Sequence, residues 1–130
     1  RSRRGPQPVQ AAADDMREWC HKDVPEALHW VKDAFPRSTI AFQVPPTILE
    51  AQYGRSPKAL DQMAACIKTE LAGGSTVLID YHKLMDEELT KVAARQDAFR
   101  IKDGHPDPIH PAVQVGLEYI GELLNHVAGP

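Results

Sequence analysis

At 130 residues the chain is sized for one hydrophobic core, and its 42% hydrophobic and 25% charged residues are ordinary globular usage, which argues against wholesale disorder. The formal net charge is −3, yet Arg1, Arg3 and Arg4 alone supply +3; removing them leaves −6, a poor surface for nucleic acid outside that short basic arm. No apolar run nears the roughly 18 residues of a membrane-spanning helix, and no signal-peptide core is present; with no starting Met, the chain reads as a processed product or a fragment, soluble and intracellular.

Residues 1–7 are rich in Arg, Gly and Pro and read as an irregular basic arm, with a single helical domain over 8–130. A helix from Pro8 to about Lys22 would carry Val9, Ala12, Ala13, Met16, Trp19 and Cys20 on one stripe. Asp23-Val-Pro-Glu26 has the form of a capping box and opens a second helix, with Val24, Ala27, Leu28, Val31 and Phe35 inward; one Pro-kinked helix over 8–35 is the alternative. Residues 39–44 alternate Ile40, Phe42 and Val44 with Ala41 and Gln43. That is strand-like, but no partner is evident, so the segment reads as an extended stretch laid over the core.

Thr47-Ile-Leu-Glu50 reads as another capping box, opening a short helix to Tyr53 with Gly54 at its C′ position. Ser56-Pro57 starts the next helix, with Leu60, Met63, Ala64, Ile67 and Leu71 on one face and Gly73-Gly74 at its end. Residues 75–101 place Val77, Tyr81, Leu84, Met85, Leu89, Val92 and Phe99 at three- and four-residue steps, which predicts one uninterrupted helix of about 40 Å. A proline-rich connection, Gly104 to Pro111, leads to a last helix with Val113, Leu117, Ile120, Leu124 and Val127 inward. The sum is an all-α, single-domain bundle of five or six helices around one long central helix, 75–101, with a short extended segment, 39–44. It fails if the long helix breaks near Asp80 to His82 and Val77 to Ile79 pair into a sheet.

Several residues carry candidate chemistry. Glu88 falls in the middle of the long stripe, where a carboxylate needs a partner; Gln96 at the stripe's edge could share a polar pocket with it, and the competing reading is a rim residue whose carboxylate meets solvent or a Lys or Arg. Glu26 and His29 match one Glu-x-x-His step of di-metal bundles, but that chemistry needs two such steps. His82/Asp86 and Glu122/His126 read as solvated helix pairs. His105 and His110 lie near Asp103 and Asp107, and Asp107-Pro108 and His110-Pro111 read as turn and helix-start chemistry. Residues 47–67 have the outline of a helix-turn-helix in which Arg55, Lys58 and Gln62 could face DNA, with Arg1, Arg3 and Arg4 adding phosphate contacts; Glu50 and Asp61 disagree with that outline. Gly116, on the inward face of the last helix, calls for a close neighbour. Trp19 and Trp30 flank their stripes as potential partner anchors, and Cys20 and Cys66 read as buried free thiols, with a disulfide as the alternative if the helices that carry them touch.

These readings favour a non-catalytic helical protein–protein interaction domain, a subunit or adaptor binding another protein or its own copies. Trp19, Trp30, Glu88 and Gly116 are its candidate residues. The alternatives are a helix-turn-helix DNA-binding module over 47–67 and a metal- or acid-dependent enzyme centred on Glu88. No cofactor or metal-ligand set is assigned.

Overall fold

A computed structural model describes residues 15–127, which fall into two compact units divided after residue 40. In the first unit, residues 15–18 are helical, a π-helical turn follows at Trp19–Asp23, and helix α1 spans Val24–Ala34. The predicted capping box does not form: Asp23 has helical dihedrals and its side chain caps nothing. Instead the amide of Val24 reaches the carbonyl of Trp19, five residues back. This wider turn lets the helix run through Pro25, which has no N–H to give and would crowd the turn before it. Cys20, Val24 and Leu28 are buried, whereas Phe35, expected inward, is exposed.

The second unit is mixed α/β, which overturns the all-α bundle. It runs strand β1 (Ala41–Val44), helix α2 (Pro57–Glu70), strand β2 (Val77–Asp80), helix α3 (Tyr81–Lys91), a 3-10 turn (Arg95–Ala98), strands β3 (Phe99–Lys102) and β4 (His105–Pro111), and helix α4 (Val113–Val127). With α1 this makes four α-helices and two two-stranded sheets among the described residues. The 39–44 segment does have a partner. β1 pairs in parallel with β2, in the register Ala41–Val77 to Val44–Asp80, and α2 makes the crossover that a parallel pair requires.

The long central helix is therefore absent, broken where the sheet pairing demands. Thr76-Val-Leu-Ile79 is a short apolar run between a Gly-Gly break and an aspartate, the mark of a buried strand. Asp80 ends that strand and caps α3, its Oδ1 accepting the Lys83 amide at 2.9 Å. Val77, Tyr81 and Leu84 share helical spacing across this boundary only by coincidence. At the other end α3 stops at Lys91 because Val92 turns extended, and Phe99 begins a strand.

Ser56 caps α2 as expected, its hydroxyl accepting the Ala59 amide at 3.1 Å. The preceding short helix does not form. Gln52 and Arg55 exchange two backbone bonds of 2.9 Å across a tight turn, with Tyr53 and Gly54 both at positive φ. Without that helix there is no helix-turn-helix. In the core, Met85, Ala98, Phe99 and Val115 are buried together, with Leu49, Tyr81, Leu84, Leu89 and Val92 packed against them. α4 begins where the prolines predict but presents the opposite face. Val115 is buried, while Val113, Leu117, Ile120 and Leu124 are 50–68% exposed. None of the described helices is long and apolar enough to cross a membrane.

Candidate active site on a proline-rich hairpin

The connection between residues 99 and 111 is a β-hairpin. Asp103 and Gly104 sit at its tip with φ of 53° and 78°, the two positive values a two-residue type I′ turn needs. Pro106, Pro108 and Pro111 are tolerated because β4 pairs on one side only, with β3. The ladder is irregular between Phe99 and Ile101, and beyond Pro106 the backbone of β4 turns onto the side chain of Asp107.

Asp107 is buried and fully engaged. Its Oδ1 accepts the amides of Ile109 at 3.0 Å and His110 at 3.2 Å. Its Oδ2 accepts Arg100 Nη2 at 2.7 Å and the His110 ring at Nδ1, 2.8 Å away. The Ile109 amide chiefly holds the carboxyl far below the usual carboxylate range; burial opposes this, and Arg100 and both His110 donors reinforce it. An ionised carboxylate only accepts, so its bond to Nδ1 fixes a proton there. In the neutral ring the second nitrogen, Nε2, then carries the lone pair. Arg100 Nη2 lies 3.5 Å from Nδ1, a proximity rather than a bond, because a protonated Nδ1 cannot accept. The His110 side chain is half exposed and, with Tyr53, Arg100, Lys102 and His105, lines an open cavity of about 360 Å³.

The far wall comes from the turn at residues 52–55. Its approach is tied down at three points: the Leu49 amide donates to the Pro108 carbonyl at 2.8 Å, and Arg95 donates to the carbonyls of Leu49 at 3.2 Å and Ile48 at 2.6 Å. Tyr53 is thereby held at the rim with φ of 51°, 81% exposed. A non-glycine residue in this region costs about 1–3 kcal/mol.

The sequence-derived candidates fall elsewhere. Glu88 is buried, and Gln114, not Gln96, satisfies it, with Nε2 donating at 3.1 Å; Gln96 is exposed. Gly116 has a side chain for its neighbour: a Cβ added there would lie 3.8 Å from the Tyr81 hydroxyl. Tyr81 stacks on Tyr119 at 4.5 Å between ring centroids, and burial, with the neighbouring Tyr119 second, raises its pKa. Trp19 is half-buried and Trp30 is 73% exposed. Arg55, Lys58 and Gln62 are exposed, on a turn and a helix start rather than a recognition motif; Arg1, Arg3 and Arg4, with the 1–7 arm, lie outside the described residues. Glu26 and His29 are exposed, and His29 pairs with Asp33 at 3.4 Å. Glu122 and His126 form the expected helix pair at 3.9 Å. Cys20 and Cys66, expected as free thiols, are both in the disulfide state.

His82 corrects its reading as a solvated pair. It is buried, with Nε2 at 2.8 Å from Asp61 and Nδ1 at 3.2 Å from Asp86. Asp61, His82 and Asp86 each bring one ligand atom within 4.8 Å of the others, near enough to hold a metal ion, while the two short contacts go to different ring nitrogens.

The Asp107–His110 pair is what the sequence reading missed. The signal was the three-residue step: an Asx turn folds residue i+3 back onto the aspartate, so a histidine there can give it both its amide and its ring N–H. No protein-family model, curated protein or solved structure matches this chain.

Proposed function

We propose that the second unit is a hydrolytic module in which His110 acts as general base and then general acid, oriented by Asp107. The observation that carries this is the bond from His110 Nδ1 to a buried, ionised Asp107, which leaves Nε2 without a partner among the described residues beside an open cavity. A base needs both features: a fixed ring and a free lone pair.

Tyr53 supplies the one side-chain hydroxyl among the described residues lining the cavity, and at the exposed rim it has no base beside it. The attacking oxygen is therefore assigned to water. Nε2 takes a proton from water as its oxygen bonds to an ester carbonyl carbon. The imidazolium is held by Asp107 and returns that proton to the departing alkoxide as the C–O bond breaks, giving an acid and an alcohol. Arg100 and Lys102 line the same cavity and bring positive charge to where the carbonyl oxygen turns negative.

Hydrolysis of p-nitrophenyl acetate tests the reading. His110→Ala should lower the rate on the order of 100-fold, to the level of free imidazole at equal concentration. A wild-type rate in that variant would refute it.

A second reading, an interaction domain, has its own support. Val113, Leu117, Ile120 and Leu124 are exposed at 4-3-4 spacing, the seam of a helix that pairs with another helix. Exposed apolar side chains gathered on one helix face are the kind of surface that marks contacts. Trp30, 73% exposed in the first unit, is a further candidate anchor. The occupant that fits the seam is an amphipathic helix, from a partner or a second copy. Replacing Leu117 and Leu124 together by Glu should abolish any association seen by light scattering; unchanged association would remove α4 as its surface.

A further inference from the structure

We infer that Tyr53 is a specificity-determining residue of the His110 cavity, a platform on which a ring of the substrate stacks. The inference rests on the hydrolytic reading only for the name "substrate"; the binding surface stands on its own geometry.

The described residues contain two turns with the same pair of positive φ values, and they differ in what occupies the first position. At the hairpin tip it is Asp103, followed by Gly104; at the cavity rim it is Tyr53, followed by Gly54. Asp, Asn and Gly suit this conformation, because short polar side chains bond back to the local backbone and glycine has no Cβ to clash. A tyrosine has neither escape.

Nothing structural compensates for it. The ring is 81% exposed, so it supports no core, and its hydroxyl makes no hydrogen bond among the described residues. The turn does not relax either, because the Gln52–Arg55 bonds, the Leu49–Pro108 bond and Arg95 hold its backbone in place. A strained, unrewarded aromatic ring held over a base-bearing cavity is explained by what enters the cavity. An exposed aromatic face offers stacking to an aryl ring, and Tyr53 lines the same cavity as His110, so an aryl ester bound there would meet both. The substrate class is accordingly an ester of an aromatic alcohol or acid.

The test uses the whole chain, with 1-naphthol as binding probe and 1-naphthyl acetate and ethyl acetate as substrates. Tyr53→Gly should weaken 1-naphthol binding about five- to tenfold and lower the preference for 1-naphthyl over ethyl acetate by a similar factor. Tyr53→Phe keeps the ring and should keep both. Because Gly relieves the backbone, Tyr53→Gly should also raise Tm, by roughly 3–6 °C. Unchanged 1-naphthol affinity in Tyr53→Gly, or a lowered Tm, would overturn the proposal. The two readings fail separately: binding of 1-naphthol that depends on Tyr53 in a protein that hydrolyses neither ester supports the platform and refutes the base, while hydrolysis lost in His110→Ala and indifferent to Tyr53 does the reverse.

Discussion

Among the described histidines that meet aspartates, His82 and His110 are opposites. His82 is buried between α2 and α3 with a carboxylate at each ring nitrogen, Asp61 at 2.8 Å and Asp86 at 3.2 Å. His110 is half exposed and lines the cavity, with Nδ1 on the buried Asp107 and Nε2 without a partner among the described residues. The difference lies in the unclaimed lone pair. A ring held at both ends ties two helices together and has nothing left for chemistry, whereas a ring held at one end is aimed and still able to take a proton. Burial alone would have ranked His82 first.

Exchanging the two roles by mutation gives the sharpest contrast. His110→Ala should cost about two orders of magnitude in ester hydrolysis and on the order of 1 kcal/mol of stability, since Asp107 loses one of its four donors. His82→Ala should lower unfolding free energy by about 1–3 kcal/mol, since it empties a buried site and breaks two polar contacts, while hydrolysis persists. Urea unfolding beside a rate assay measures both. If both variants lose only stability, the distinction between the histidines is wrong.

Asp107 belongs to both sides, since it orients His110 and holds the hairpin. Asp107→Asn should cost about 1–3 kcal/mol at neutral pH, because a charge-assisted buried network loses its charge. The sign of its pH dependence follows from a folded pKa depressed below the ordinary value. The carboxylate's contribution is fully present above about pH 5. It begins to fade as pH falls past about 4, the unfolded value, and is lost as pH drops through the lower folded value. The stability gap between wild type and Asp107→Asn should therefore be flat from pH 5 to 8 and narrow in acid. A gap that widens in acid would show that Asp107 is not held ionised by its neighbours.

The smallest effect is expected at Gly116, away from either histidine. Its missing Cβ would meet the Tyr81 hydroxyl at an ordinary contact distance of 3.8 Å. Gly116→Ala should then gain up to about 1 kcal/mol of helix propensity. Destabilisation would mean the Tyr81–Tyr119 stack cannot give way there.

Local signals in the sequence were read well wherever one element decides its own form. Ser56-Pro57 started a helix and Pro111 preceded another. What could not be read locally was pairing. Ile40, Phe42 and Val44 alternated like a strand, but their partner, Val77 to Asp80, lay more than thirty residues on and was hidden in a periodicity that matched a helix by chance. The hairpin was missed for the opposite reason. Asp103-Gly104 is a strong turn signal, but three prolines in β4 argued against a strand, and they are permitted only because that strand has a single neighbour. The outward face of α4 was likewise unreadable, since an apolar stripe looks the same whether it faces a core or is left open.

The state of the His110 ring tests the central claim most directly. Long-range nitrogen–proton NMR correlation at neutral pH distinguishes a protonated ring nitrogen from a bare one. For the neutral ring the structure predicts the proton on Nδ1, against Asp107, with Nε2 bare, and this tautomer should be lost in Asp107→Asn. A neutral ring in the wild-type chain with its proton on Nε2 would contradict the assignment of His110 as a base.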